Sequence, residues 1–297
     1  MPITPQQLYS NGNRDTLFNK IVQFPLIRIL IALGFIIPVI ICFNLLFRNL
    51  DPRWTTYIGD IGAVVIIVLY CLSYAYYVKL IEKRTVLELS REGIVKETGI
   101  GFLISAVLVI LTTILIMLKG SISIVSTNTL EYLIHAFLIF GLLAFVEELI
   151  FRGIVLRLLE ELVGTWLSIV IVASIFGSVH LIHEEATLSS TVAIALQDLI
   201  LSGAFILTRR IWLCWGIHWG WNFTQDGVLG MPNAGVELLP SWLNTEIFGP
   251  TWLTGGTIGI ELSVLGTLLN VLVGIFLIKI AIKKGQIVRP SWQKPIT

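Results

Sequence analysis

Eight long apolar stretches recur along this chain of 297 residues, and they limit its fold more than any other feature. Each is long enough, or nearly so, to cross a hydrocarbon layer of roughly 30 Å at about 1.5 Å of rise per helical residue. They cover residues 25–47, 57–80, 100–118, 130–153, 165–183, 190–208, 211–228 and 257–281. Composition agrees, because only 13% of the residues are charged, about half the usual content of a soluble protein. We therefore predict an all-α, polytopic membrane protein with about eight transmembrane helices.

The parts outside these stretches suggest a single membrane domain. A polar segment covers residues 1–24, and no short apolar region followed by a cleavage site precedes the first stretch. Residues 25–284 form the transmembrane helical domain, with a core at about 130–228 that carries the motifs described below, and residues 285–297 form a tail. The charged segment 82–97 alternates acid and base, so we expect it to be an amphipathic helix on the membrane surface.

The basic residues predict the orientation in the membrane. With eight spans, both termini lie on the same side, and that side holds all but three of the 20 Lys and Arg residues. The exceptions are Arg48, Arg53 and Lys119. Since basic residues collect on the cytoplasmic side, we expect both termini to be cytoplasmic. The net charge of +1 implies no bulk attraction to nucleic acid, which we exclude as a partner.

Two adjacent carboxylates, Glu147 and Glu148, lie inside the fourth apolar stretch. An ionised side chain at membrane depth costs at least about 2.5 kcal/mol, so such residues usually have partners and a function. Arg152 follows Glu148 by one helical turn, and an i,i+4 ion pair explains those two residues. Glu147 remains without a partner on its own helix, so its partners are expected elsewhere in the chain.

A histidine in the fifth stretch is the first candidate partner. The two stretches are expected to form a hairpin that turns at Gly164, with Glu147 17 residues before it and His180 16 residues after it. Two antiparallel helices would then bring Glu147 and His180 to nearly the same depth. Phe176 lies one turn before His180 and would add an apolar wall to the same face.

The seventh stretch carries a further pair of polar residues. His218 comes eight residues after Arg210, about 12 Å along a helix, and Asn222 follows His218 on the same helix face. We therefore expect Glu147, His180, His218 and Asn222 to meet in a buried site between helices 4, 5 and 7, nearer the cytoplasmic side. Together they offer a base, a group that orients it and hydrogen-bond donors.

The other polar residues in apolar stretches are expected to be structural. His135 has no matching partner in the sequence and is expected to be a packing residue. Asp198 and Gln197 could support the site from behind, but contacts between helices are the preferred interpretation. Glu261 and Asn270 are interpreted in the same way, and Asp226 as a cap at a helix end.

Three sequence motifs resemble those of the CAAX protease and bacteriocin-processing (CPBP) family of membrane proteases. EELIFR, at residues 147–152, resembles the EExxxR motif of that family. FGSVH, at 176–180, is similar to its FxxxH motif, and HWGWN, at 218–222, to its HxxxN motif. The motif region covers about 140–228, under a third of the chain. One such motif arises by chance in many helices, whereas three in order inside apolar stretches are specific.

The resemblance implies a role for each motif residue. Glu147 with His180 would activate water to attack a peptide carbonyl, and His218 with Asn222 would hold the developing oxyanion. Glu148 and Arg152 would be supporting residues that shape the site or bind a substrate carboxylate. The implied partners are the lipid bilayer and a peptide or protein substrate, which in one branch of the family is C-terminally prenylated.

The family is also described as metalloproteases. Glu147, His180 and His218 could equally give a zinc ion three ligands and leave an open position for water. Residue types alone do not separate the two schemes. The metal-assisted scheme is preferred, because two histidines and a glutamate suit zinc and a buried anion needs a cation.

The leading hypothesis is an intramembrane endopeptidase of the CAAX-protease type that cuts a peptide bond near the cytoplasmic face. One alternative is a non-catalytic membrane protein, such as a bacteriocin-immunity or scaffolding factor that binds a peptide in the same polar pocket. Another is a transporter whose buried carboxylate and histidines relay protons. The paired mid-span Gly or Pro breaks typical of many transporters are not found in the sequence.

Overall fold

A computed structural model describes residues 2–47 and 52–293, and these residues form a bundle of helices with one small sheet. The helices are α1 Leu17–Val22, α2 Pro25–Phe47, α3 Pro52–Tyr77, α4 Ile94–Met117, α5 Glu131–Glu148, α6 Arg157–Val179, α7 Leu188–Thr208, α8 Trp212–Asn222, α9 Thr251–Thr254 and α10 Val264–Lys283. The strands are β1 Ile122–Thr127 and β2 Leu243–Ile247. A π-helical segment, Leu149–Leu156, joins α5 to α6, and another, Phe223–Val228, continues α8.

The class of fold predicted from the apolar stretches is confirmed. Within the described residues, six helical segments are long and apolar enough to cross a membrane. One of them, Glu131–Ile182, contains two of the predicted stretches, while α8 has only 11 residues. The chain is thus an all-α, multi-pass integral membrane protein, and the number of eight crossings stays a prediction.

The predicted helical hairpin does turn at Gly164, where the helical backbone breaks within α6. This glycine has φ 75° and ψ 171°, a combination that is essentially restricted to glycine. Residues at nearly the same distance from the turn meet across it, since the rings of Phe151 and Phe176 lie 5.0 Å apart at nearly a right angle. The Arg152 guanidinium also lies 5.0 Å from the Phe176 ring. The hairpin therefore brings the first two motifs together.

Both ends of the described chain pack at the same end of the bundle, which we call the terminal end. Near the N-terminus, the Leu8 carbonyl accepts a hydrogen bond from Arg157. Near the C-terminus, the Val288 carbonyl accepts one from the Thr165 N–H. Arg209, just before α8, bonds Gln286 at this end.

The opposite end carries the antiparallel sheet of β1 and β2, and we call it the sheet end. The sheet joins the loop after α4 to the long segment after α8, and the sequence analysis did not predict it. Lys119, an expected exception to the charge bias, lies in the loop just before β1. Arg48 lies outside the described residues, and the Arg53 side chain is not described.

The prediction of a surface helix at residues 82–97 is wrong. Residues 83–93 form turns, and α4 begins at Ile94. Glu82 and Glu88 are fully buried because guanidinium groups neutralise them: Arg157 bonds Glu82 at 2.8 Å and Arg84 bonds Glu88 at 2.6 Å. Burial alone would raise the pKa of Glu88, but Arg84 and Arg157 hold it below its ordinary value. The alternating acidic and basic residues of this segment therefore take part in a buried ionic network at the terminal end.

We predict that Gly164→Ala destabilises the protein. A Cβ atom here would lie 2.7 Å from the Pro290 backbone nitrogen, in a backbone conformation that costs other residues about 1–3 kcal/mol. Gly285→Ala is the matched control, because Gly285 also has positive φ (67°) but no atom within 4 Å of its ideal Cβ. Thermal unfolding in detergent should show a clearly larger loss for Gly164→Ala. Equal losses would contradict the tight packing at this turn.

Candidate active site

The adjacent carboxylates at the end of α5 have different surroundings. Consecutive helical side chains point about 100° apart, so only one of the two can face the interior directly. Glu148 is fully buried and accepts hydrogen bonds from His218 at 2.8 Å and Arg152 at 3.0 Å. The Glu147 side chain is 38% exposed, and its Oε2 lies 3.9 Å from His218 Nε2. His218 on α8 is therefore the residue that links both acids.

Arg152 neutralises two buried carboxylates. Its guanidinium bonds Glu148 on the same helical segment and also Asp198 on α7. Asp198 in turn accepts a hydrogen bond from Ser202 at 2.7 Å. Both terminal nitrogens of Arg152 thus bond carboxylates inside the protein, an arrangement that favours its role in shaping the site.

Asp198 is a residue of the site that the preferred sequence interpretation missed. It had been interpreted mainly as a contact between helices, with support of the site as the second choice. The structure shows both, since Asp198 on α7 holds the arginine of the EExxxR motif. The sequence did contain a signal for this role of Asp198. An acidic residue near the middle of an apolar stretch requires an ion-pair partner.

His180 comes directly after the last residue of α6 and has a defined ring orientation. Its Nδ1 lies 2.8 Å from the Phe176 carbonyl, which can only accept a hydrogen bond, so Nδ1 carries the proton. The neutral ring then keeps a lone pair on Nε2. The Phe176 ring centre is 5.0 Å from that of His180 and 6.1 Å from that of His218. Phe176 thus packs beside the rings of both histidines.

One cavity of about 80 Å³ brings the motif residues of α6 and α8 together. Its lining includes Phe176, His180, His218 and Asn222. Glu147 does not line this cavity and reaches the site through its approach to His218. Further walls come from α7 through Ile194, Gln197, Asp198, Ile200 and Leu201, from α8 through Ile217 and Trp221, from the segment between α8 and α10 through Asn233, Ala234 and Glu261, and from α10 through Asn270. Of the three helices that carry the motifs, α6 and α8 contribute to the cavity lining, together with α7 and α10, whereas α5 does not.

The cavity reaches towards the sheet end of the bundle. Asn233, Ala234 and Glu261 belong to the segment between α8 and α10, which lies at that end. His180 follows the turn at Gly164 by 16 residues, roughly 24 Å along a helix. His180 therefore lies at the end of α6 that is far from the turn at Gly164, and the expectation of a site nearer the cytoplasmic side stays a prediction.

The candidate donor atoms are of the types that bind zinc, but they do not lie close enough together to bind one ion. The two histidines each use Nδ1 for a hydrogen bond, to a carbonyl and to a carboxylate, as zinc-binding histidines commonly do. Glu147 adds a half-exposed carboxylate. Among the described residues, however, no three His, Cys, Asp or Glu side chains lie close enough together to hold one metal ion. No catalytic step can therefore be assigned to a metal from this geometry.

The remaining polar residues lie away from the two acids. His135 does have a partner, since its Nδ1 lies 2.6 Å from Asp60 Oδ1 on α3. Asp226 accepts a hydrogen bond from the Leu238 N–H at 3.2 Å and so bonds the segment that follows its helix.

Together these features define a class: a multi-pass membrane protein with a buried acid and histidine site between its helices. A family described as Rce1-like, type II CAAX prenyl endopeptidase Rce1-like, matches residues 129–224. All three motifs lie within the matched residues, so the resemblance suspected from the motifs is confirmed. The match covers about a third of the chain and supports a membrane-embedded peptidase of the CAAX type in general. No curated protein and no solved structure matches the chain.

We predict that Arg152→Met destabilises the protein strongly, by about 3–5 kcal/mol, because it leaves Glu148 and Asp198 buried without their cation. Arg210→Met is the control, since Arg210 and its partner Glu97 both keep some contact with solvent and only one carboxylate loses its cation, so a smaller loss is expected. Thermal unfolding in detergent measures both. A triple variant that adds Glu148→Gln and Asp198→Asn to Arg152→Met should regain part of the lost stability. A small loss in Arg152→Met would contradict the network described above.

Proposed function

We propose that the protein is an intramembrane endopeptidase of the CAAX-protease type, with Glu147, His180, His218 and Asn222 as its catalytic residues. The observation that carries the proposal is the approach of Glu147 to His218 beside a cavity lined by His180, His218 and Asn222. Residues of these types, held on separate helices of a membrane bundle, are costly unless they are used. The family match supports the same class of reaction.

The proposal assigns the activation of water to Glu147 and His180. Glu147 takes a proton from water while the oxygen of that water bonds to the peptide carbonyl carbon. His180 orients the water by accepting its second hydrogen at Nε2, the ring atom left free by the bond of Nδ1 to Phe176. When the peptide C–N bond breaks, Glu147 returns its proton to the leaving nitrogen. The electron pair of the broken C–N bond stays on that nitrogen, the oxyanion re-forms the carbonyl, and the second hydrogen of the water leaves the new carboxylic acid for the solvent.

The developing oxyanion is assigned to the side-chain amide of Asn222 and to the Nε2–H of a doubly protonated His218, because Nδ1 of that ring already donates to Glu148. These two residues lie one turn apart on α8, and both line the cavity. Glu148 fixes the His218 ring through Nδ1, and Arg152 with Asp198 fixes Glu148. Donors held in place before the reaction need no reorganisation as the negative charge forms, which is the main advantage of such a site.

Assistance by zinc is part of the proposal as a variant. Glu147, His180 and His218 would hold the ion, which when bound would polarise the carbonyl and its bound water. Since the described residues form no three-ligand cluster, the ion would have to draw these donors together. The proton transfers above do not depend on it.

The orientation of the chain and the nature of its substrate are also proposals. Both termini are proposed to be cytoplasmic, since they share the end of the bundle that holds Arg209, Arg157 and other basic residues. A prenylated substrate is suggested only by the description of the matched family.

The proposal predicts that Glu147→Gln lowers peptide cleavage by at least about 100-fold while leaving thermal stability nearly unchanged, because a general base is removed from a half-exposed position. Glu184→Gln, the same change on the exposed loop after α6, is the control and should stay active. Cleavage is followed by mass spectrometry of peptides incubated with protein in detergent. A purely binding protein would show no turnover even in the wild type, and a proton-coupled transporter would show ion flux.

Metal analysis tests the zinc variant. We expect about one zinc ion per purified chain, reduced in His180→Ala, with cleavage lost on treatment with a chelator and restored by added zinc. The Glu184→Gln protein should keep its zinc. Full activity in chelator, with no metal bound, would reject the zinc variant and leave the metal-free scheme.

A further inference from the structure

A second recess lies at the terminal end of the bundle, away from the cavity that holds the motif residues. Its volume is about 710 Å³, within the range of about 300–1,000 Å³ that is usual for small-molecule sites. One wall comes from the π-helical segment Val78–Glu82 and the turn after it, through Lys79 and Lys83. The other comes from the N-terminal segment, through Gln7 and Asn11. The described residues that line the recess include no Asp or Glu.

The wall formed by the N-terminal segment is fixed to the bundle. The Asn11 N–H donates a hydrogen bond to the Glu82 carbonyl at 2.8 Å. The Leu8 carbonyl accepts one from Arg157 at 3.1 Å, and the Leu8 side chain is buried. These contacts tie the segment to two distant parts of the chain. The recess is therefore part of the fold, bounded on both sides.

The two lysines of the recess carry positive charge that the protein does not cancel. The buried ionic network next to them contains three guanidiniums and three carboxylates that pair with one another, namely Arg28, Arg84, Arg157, Glu82, Glu88 and Glu161. Arg84 also lines the recess, but Glu82 and Glu88 already occupy its guanidinium. Lys79 and Lys83 are exposed, and neither pairs with a carboxylate in the part of the chain that the structure describes. The recess is therefore positively charged.

The lysines lie at the end of a membrane span, next to apolar side chains that face outwards. The apolar helical span is Gly59–Glu82. Leu72, Tyr76 and Leu80 recur on it every four residues, so they lie close to one face, and all three are exposed. Each lysine follows one of the last two by three residues. Because exposed apolar side chains of a membrane span contact acyl chains, the recess lies at the depth of the lipid headgroups.

We propose that this recess binds the headgroup phosphate of an anionic phospholipid, with the Lys79 and Lys83 ammonium groups as its cations and the Gln7 and Asn11 amides as further donors. Ammonium groups bind phosphate as point charges, and basic pockets between membrane helices bind anionic headgroups. The acyl chains of the lipid lie along the exposed face of the span. A zwitterionic lipid is a poorer occupant, because its own ammonium group finds no carboxylate in the described lining. The site does not depend on the proposed peptidase function.

The test is native mass spectrometry of the purified chain in detergent, titrated with dioleoylphosphatidylglycerol or with dioleoylphosphatidylcholine. We expect the first phosphatidylglycerol to bind the wild type at least about 10-fold more tightly than the first phosphatidylcholine. In the double variant Lys79→Gln/Lys83→Gln this preference should fall by about 10-fold, because both cations of the site are removed. The preference is a ratio measured within one preparation, so a lower yield of folded variant does not alter it.

A matched double variant separates the recess from general surface charge, since lysines at the ends of membrane helices reach the headgroup region even without a built site. Lys283→Gln/Lys284→Gln also removes two exposed lysines at the terminal end, where α10 ends, outside the recess. It should keep the wild-type preference. An equal loss in both double variants, or equal affinity of the wild type for the two lipids, would overturn the proposal.

The deacylated headgroup distinguishes a lipid from a free anion. Glycerophosphoglycerol carries the same phosphodiester as phosphatidylglycerol and lacks the acyl chains. In large excess it should leave the binding of phosphatidylglycerol nearly unchanged, because the acyl chains contribute contacts along the exposed face of the span. Displacement of the lipid by glycerophosphoglycerol at comparable concentration would overturn the assignment of a lipid as the occupant.

Discussion

One guanidinium, that of Arg152, neutralises two carboxylates that the membrane would otherwise not tolerate. Glu148 and Asp198 are both buried, and they come from different helices of the bundle. Removing a buried charge's only cation costs far more than an exposed ion pair contributes. The position of α7 against the α5–α6 hairpin is therefore tied to the same contacts that orient His218. In this protein, the stability of the bundle and the geometry of the site depend on one set of bonds.

The two acids of the EExxxR motif divide their roles through this arrangement. Glu148 is committed to Arg152 and His218, whereas Glu147 stays half-exposed and near His218 Nε2. A carboxylate that must exchange protons needs access to water and substrate, and one that positions a ring needs to be buried. Their adjacency in sequence serves both needs, because neighbouring positions on a helix face different surroundings.

The same separation of charge holds for the molecule as a whole. Buried guanidiniums pair with acids at the terminal end, through Arg84, Arg157 and Arg209. The cavity on the sheet-end side contains Glu261 with only neutral partners. Neutralised charge thus stabilises the bundle at one end, while the lining of the cavity includes a carboxylate whose hydrogen-bond donors are neutral.

The sequence by itself determined the class of fold, the hairpin and the three motifs. These features were predicted from the lengths of the apolar stretches, from Gly164, and from the positions of Glu147, His180 and His218 along their own helices. Such positions follow from helical rise, which is a local property. Tertiary structure decided the rest. Asp198 could not be assigned to Arg152, the charged segment at 82–97 could not be recognised as buried, and Glu261 could not be assigned to the cavity. Each of these depends on which distant segments pack together, and neither hydropathy nor spacing along one helix carries that information.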